Sequence, residues 1–525
     1  MSVARSSAVV VLFASYCALG CSSSPAASPG AAGGAAGTAG SSGGTTAGSA
    51  GATSLPQGGT VGGGGTTSAS GGLSTPNGGA VGSAGARPGG TSGIAGSGSG
   101  GATSGSGGTA PGGGGSPVTS SCPPPATTAC TSAQVRITEI DVGAPVVVNE
   151  DDAALKMLSI SPIPSGGSRV AWMSNDANVH VTNLDCADQV VDSFTVPGSD
   201  YGDIYADDKG GVLLVSRDAQ GGGTLNCGAP TNLCGTPPSP PIACYDMYMV
   251  RFDGKAETWA TKLTTASAML PPYSTGPMGP QTYFIWWYAH HGRIASDGTN
   301  FAAYYGAATS VSQACTTGGN TAINIHQGDE MRVVSPSGSM LTGHDSFIWG
   351  CSHSGFEKVL WDATANHFEM ICRSDGFPHA GLNVNAKNLV SAISPSMSAV
   401  SNLVLSSMPN NYWVLVNDSG TLHLMRFTSA GGTAADIMLG SGDKPHLVKY
   451  GSHLFGSWKP ASGNNMVGQV FDAGTGAAIG SQITIDVPSN QFEDFRDYSD
   501  GSAAYPAPGT SSTKMKIVRV LPCTG

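Results

Sequence analysis

Residues 169–184, Arg-Val-Ala-Trp-Met-Ser-Asn-Asp-Ala-Asn-Val-His-Val-Thr-Asn-Leu, place two short apolar runs, Arg169–Met173 and Val179–Leu184, on either side of Asn175-Asp176. Runs of this length, rich in β-branched and aromatic residues and parted by Asn and Asp, read as an antiparallel hairpin. The arrangement returns downstream. Asp203–Ala206 and Val212–Val215 flank the turn Asp207–Gly211, and Arg293–Ala295 and Phe301–Tyr305 flank Asp297-Gly298. Lys358–Trp361 pairs with Phe368–Cys372, Leu403–Leu405 with Tyr412–Val416, His446–Tyr450 with Leu454–Trp458, and Glu493–Arg496 with Ser502–Tyr505.

Several of these hairpins are followed by a second strand-and-turn pattern. Met247–Phe252 precedes Asp253-Gly254, Met331–Val334 precedes Ser337-Gly338, and Gln469–Phe471 precedes Asp472–Gly474. Two hairpins make a four-stranded unit, and a recurrence of about 40–50 residues is the period of propeller blades. The expected fold class is therefore all-β: a seven-bladed β-propeller, with six or eight blades as the neighbouring counts. A pair of β-sandwiches is the alternative, and it accounts less well for the steady recurrence. The last unit, from Phe492, has room for only three strands. Gln134–Ile140 reads as a lone strand, so its pairing into the last blade would close the ring and remove two exposed sheet edges.

The expected propeller domain spans 122–525. It carries all 34 acidic residues of the chain and a formal charge of −13, because Arg5 and Arg87 are the only charged residues before it. An acidic surface of this kind argues against nucleic acid as a partner. Its ten cysteines are Cys122, Cys130, Cys186, Cys227, Cys234, Cys244, Cys315, Cys351, Cys372 and Cys523. An even number with no CxxC pair suggests disulfides in an oxidising compartment and speaks against structural zinc. Cys523 is expected to pair with Cys122 or Cys130, and Cys227–Cys234 or Cys234–Cys244 to close part of a Pro-rich loop.

The N-terminus supplies an address. Arg5, the apolar run Ala8–Ala14 and small residues up to Gly20 form an export signal over 1–20, too short to span a bilayer. Ala18-Leu19-Gly20-Cys21 resembles the processing site of bacterial lipoproteins, departing from it at Ala18, where that family prefers Leu; an ordinary secretory signal is the alternative. The resemblance implies lipidation at Cys21 and, with Ser22 following, an outer-membrane lipoprotein facing the periplasm or the cell surface. Residues 21–121 follow as a lipid-anchored linker. Residues 31–120 hold 34 of the 78 glycines and a single charge, Arg87, so this Gly/Ser/Thr/Ala tether lacks the apolar surface needed to offset its ordering entropy. About 100 such residues span roughly 50–60 Å.

Candidate chemistry gathers where innermost strands are expected to begin. If Arg293, Lys358, His446 and Glu493 begin them, then His291, His353, His446 and Asp494 converge at one channel mouth, with Arg293 and Arg496 beside them. Imidazoles with a carboxylate suit a divalent metal or acid–base catalysis, which makes His291, His353 and His446 the candidate catalytic and metal residues. Arg293, Asp494 and Arg496 are the candidate binding residues. The bland reading is that these groups bond neighbouring blades.

Gly350-Cys351-Ser352-His353-Ser354 partly matches a nucleophile elbow but lacks its final Gly. The run Tyr283–Tyr288 offers stacking surfaces for sugar rings, although core packing suits it better. The primary expectation is a membrane-tethered envelope protein whose propeller binds a glycan, a peptide or an envelope protein. A metal-assisted hydrolase or lyase is the second reading and a structural envelope component the third.

Overall fold

A computed structural model describes residues 122–123, 125–150, 156–176, 178–217, 225–226, 243–244, 246–264, 281–283, 292–314, 321–347, 351, 356–374, 380–385, 388–389 and 397–524. The signal segment 1–20, Cys21, the tether 21–121 and the proposed pairings among Cys227, Cys234 and Cys244 lie outside what it describes.

Among the described residues, six sheets of four or more strands, one of them an eight-stranded sheet that divides into two blades, make an all-β β-propeller of seven blades. Blade 1 is Ser159–Pro162, Ser168–Met173, Asn178–Leu184 and Val190–Pro197; blade 2 is Asp200–Ala206, Gly210–Arg217, Asp246–Asp253 and Ala256–Lys262. Blade 3 comprises Arg293–Ser296, Phe301–Ala314, Thr321–Val334 and Met340–Leu341, with Gln281–Tyr283 added along Ala308–Ser310. Blade 4 is Lys358–Asp362, His367–Ser374, Gly381–Val384 and Asn388–Leu389.

Blades 5 and 6 share one long strand, Thr433–Tyr450. Its Thr433–Ser441 part is the outer strand of blade 5, against Thr421–Thr428, and its Gly442–Tyr450 part is the inner strand of blade 6, against His453–Pro460. Positive φ at Gly440 and Lys444 marks the bend where the strand leaves one sheet and enters the next. Met397–Val400, Val404–Leu405 and Asn411–Asp418 complete blade 5, while Met466–Asp472 and Ala478–Ile485 complete blade 6.

Blade 7 is built from both ends of the domain. Arg496–Asp497, Ala503–Pro508 and Lys514–Val520 receive Val135–Asp141 as their fourth strand, in register from Val135 opposite Val520 to Asp141 opposite Lys514. Thr128–Ala129 runs parallel to Cys523–Thr524, and the Cys130–Cys523 disulfide bridges 393 residues there. Cys122–Cys186 ties the entering chain to a turn of blade 1, and Cys351–Cys372 fastens the approach to blade 4 onto its second strand. Disulfides of this number place the protein outside the cytoplasm.

The strand patterns follow from blade packing. Ser168–Met173 and Gly210–Arg217 are buried along their whole length because a neighbouring blade covers each face. Outermost strands such as Val190–Pro197 are largely exposed. Flat aromatic side chains fill the seams, and their polar tips find carbonyls or carboxylates across them. Tyr201 Oη donates to Met157 O and Ala171 O at 2.7 Å between blades 2 and 1. Tyr412 Oη reaches Asp362 at 2.7 Å, and Trp413 Nε1 reaches Ala473 O at 2.8 Å. Where the ring closes, Arg519 and Arg136 of blade 7 both bind Asp188, a fully buried residue in a turn of blade 1.

Candidate functional site at the propeller axis

The connection from blade 6 into blade 7, residues 489–496, touches all seven blades and therefore lies on the axis of the ring. Its Glu493 Oε1 accepts the Leu158 amide at the head of blade 1 at 2.9 Å. Arg496 Nη2 donates to both carboxylate oxygens of Asp203, in blade 2, at 2.6 Å. Asp494 accepts Arg293 of blade 3 and, at 2.6 Å, Lys358 Nζ of blade 4. The Asn402 amide of blade 5, oriented with its nitrogen toward the carboxylate, donates to Asp494 at 2.7 Å. Phe492 stacks on Phe356 beside blade 4. Phe495 stacks on His446 of blade 6 and on Tyr505 of blade 7.

Three cations thus meet two carboxylates, and the remaining Arg293 donors go to the carbonyl oxygens of Gly292 and Phe492. Burial alone would raise the Asp494 pKa, but Arg293, Lys358 and Arg496 overcome it and hold the carboxyl well below its usual range. Burial, reinforced by Arg293, pulls the Lys358 ammonium down to about 8 against the opposing pull of Asp494. Glu493 is pushed up to about 8 by burial, although the Leu158 and Asn490 amides favour its ionised form. It is a neutral acid at pH 7.

His446 is a neutral imidazole, pulled down to about 3 by burial against the charge of Asp494. Its Nε2 lies 2.8 Å from Ser489 Oγ. A neutral His beside a Ser hydroxyl has the geometry of a nucleophile and its base. With Ser489 1% and His446 2% exposed, however, a substrate has no approach to them in this state. The Ser489–His446 pair escapes sequence reading, since Ser489 sits in a Pro-Ser-Asn stretch that reads as a plain turn.

Of the residues singled out from sequence, Arg293, His446, Asp494 and Arg496 share this one cluster. His291, His353, Ser352 and, of the run Tyr283–Tyr288, residues 284–288 lie outside the described residues. Cys351 is disulfide-bonded. Among the described residues, two groupings have the spacing of metal ligands, Cys130/His453/Cys523 and Asp329/Cys351/Cys372. Both lose their thiolates to the disulfides Cys130–Cys523 and Cys351–Cys372, and so lack the donors that would hold a soft metal.

No family model and no curated protein matches the chain. Solved structures do. The Dos1 propeller aligns over 74% of this chain and 84% of its own at 8% identity, with a TM-score of 0.38. A mutant of AofleA from Arthrobotrys oligospora aligns over 75% and 94% at 9% identity, TM-score 0.31. The BP39L lectin from Burkholderia pseudomallei aligns over 68% and 99% at 11% identity, TM-score 0.36. These likenesses concern the fold alone.

Proposed function

We propose that this chain is an outer-membrane lipoprotein, held through acylated Cys21, whose propeller captures an extracellular or periplasmic ligand, a glycan foremost. The observation that carries the reading is the mutual engagement of Arg293, Lys358, Asp494, Arg496 and Asp203. Charges spent on one another, and buried, rivet the blades together, and Glu493, His446 and Ser489 beside them are buried as well. Recognition then falls to the rim of the ring. A rigid, disulfide-braced head on a long Gly-rich leash fits capture away from a membrane surface. An acidic head disfavours nucleic acid and anionic lipid as ligands.

The test uses the mature, purified protein. Metal analysis together with a glycan array is expected to give no stoichiometric metal and selective binding of a glycan class. Stoichiometric metal that is lost in His291→Ala and His353→Ala would overturn the capture reading in favour of a metal-assisted hydrolase or lyase using His291, His353 and His446. Labelling with a radioactive fatty acid checks the anchor: incorporation is expected in the wild type and absent in Cys21→Ser.

A further inference from the structure

On the rim between blades 2 and 3 lies a cleft of about 560 Å³, within the size range of small-ligand sites. The turns at Asp207–Lys209 and Asp253 of blade 2 face those at Gly298–Thr299 and Pro336 of blade 3 across it. Its wall is aromatic. Trp259, on the outer strand of blade 2, lines it with Phe301, and the ring is fixed from behind. Trp259 Nε1 donates to Pro336 O at 3.0 Å, and Gly338 packs so close to the indole that a Cβ there would meet the ring at 3.0 Å. Gly338 also has φ +82°, so a glycine serves both the turn and the contact.

The floor is polar and preset. The Arg251 guanidinium, buried, sits over the Phe301 ring and binds Asp207 on one side and Asp253 Oδ1 on the other, at 2.5 and 2.8 Å to the latter. Burial would raise the Asp207 pKa, but Arg251 and the Gly210 and Lys209 amides hold it below its usual range, so the floor stays ionised at neutral pH. Asp253 gives only Oδ1 to Arg251, and its side chain is about half exposed (48%), which leaves Oδ2 for an outside donor.

We infer that this cleft is a binding site for a neutral saccharide. The inference rests on the capture reading above and gives it a place and a ligand class. A hexose has an apolar C–H face and a polar rim of hydroxyls, each both donor and acceptor. Trp259 supplies the flat apolar partner, and the Asp207–Arg251–Asp253 array supplies acceptors and donors fixed in place before the ligand arrives. A basic peptide is disfavoured because Asp207 and Asp253 are both already engaged by Arg251, the cleft's three carboxylates face two cations, Lys209 and Arg251, and an incoming cation would be placed beside them. Thr258 and Thr299, both exposed, form the lip.

The experiment titrates the mature protein with methyl glycosides of glucose, galactose, mannose and fucose, and with a Lys-rich peptide, by saturation-transfer NMR and indole fluorescence. At least one glycoside is expected to bind in the millimolar range, shifting the indole emission, and Trp259→Ala to weaken it by about tenfold or more, the equivalent of one stacking contact. Trp259→Phe should restore most of the affinity. Thr299→Arg fills the lip without touching the packing between the blades, so it should block binding with an unchanged melting temperature. Loss of binding in both Trp259→Ala and Thr299→Arg supports the site. A glycan that binds the wild type and both variants equally would overturn the site while sparing the capture reading. Peptide binding without any glycoside would overturn the ligand class. No bound glycan on any array and no glycoside in solution would remove both.

Discussion

Lys358 Nζ lies 2.6 Å from Asp494 Oδ1, joining residues 136 apart in sequence across the axis of the propeller. Arg293 holds the other oxygen of the same carboxylate, so blades 3 and 4 share Asp494 as their anion. Removing it leaves two buried cations without their partner. Asp494→Asn is expected to cost about 3–5 kcal/mol in urea unfolding, the usual loss on breaking a buried pair. Lys358→Met should cost clearly less, because Arg293 still neutralises Asp494 and the removed ammonium is already strained by burial. Equal costs for the two substitutions would argue against a shared rivet.

Two buried groups on the axis give the stability a predictable pH profile. The folded-state pKa of Glu493, about 8, lies above the ordinary 4.5, so its contribution is fully present below about pH 4.5 and is lost as pH rises through 8. His446 works in the other direction. Its folded value of about 3 lies below 6.5, so the stability it gives as a neutral ring is present above 6.5 and drains away as pH falls toward 3. Asp494, held low, adds to the acid-side loss. Glu493→Gln keeps an acceptor for the Leu158 amide and removes the titration. Melting temperatures measured across this range should therefore fall less between pH 5 and 8.5, taken as roughly the window of that titration, in the variant than in the wild type. Parallel profiles would show that Glu493 is not held neutral.

The seam between the last and first blades offers a second electrostatic test. Asp188 is fully buried, has φ +62° and binds Arg519 at 2.5 and 2.9 Å and Arg136 at 2.6 Å. Asn tolerates that backbone conformation, so Asp188→Asn isolates the charge. We expect a loss of about 2–4 kcal/mol, because two guanidiniums lose their anion, one of them half-exposed and able to turn to water. Asp188→Ala should lose more, since it adds the strain of a positive φ.

The recurring hairpins were legible in the chain because the second strand of each blade is covered on both faces. Arg169–Met173 and Val212–Val215 are apolar for that reason, and Asn175-Asp176 and Asp207–Gly211 mark their turns. The outer strands were harder to read. Ala256–Lys262 is mostly exposed and shows little of the apolar run that a buried strand requires. Trp259 hides within it, and only the approach of Pro336 and Gly338, nearly 80 residues downstream, makes it part of a cleft. The axis shows the same limit. Arg293 and Lys358 stand at recognisable strand starts, whereas the strand expected from Glu493 begins only at Arg496 and leaves Asp494 in the connection before it; their pairing spans up to 201 residues and follows from how the ring closes, which no local pattern encodes.

The closure itself can be tested through a glycine. Gly480, in the outer strand of blade 6, has φ +68°, and a Cβ there would fall 2.2 Å from the carbonyl oxygen of Thr131, the residue after Cys130. Because Cys130 is fixed to Cys523, Thr131 has nowhere to retreat. Replacing both cysteines with Ser should cost about 2–5 kcal/mol, as expected for opening a very long covalent loop. Gly480→Ala alone should cost about 1–2 kcal/mol from the backbone and more from the overlap. Combined, the substitutions should cost less than their sum, since an unclasped Thr131 can move aside. Strict additivity in urea unfolding of the four proteins would show that the strap is held against blade 6 by its own packing and not by the disulfide.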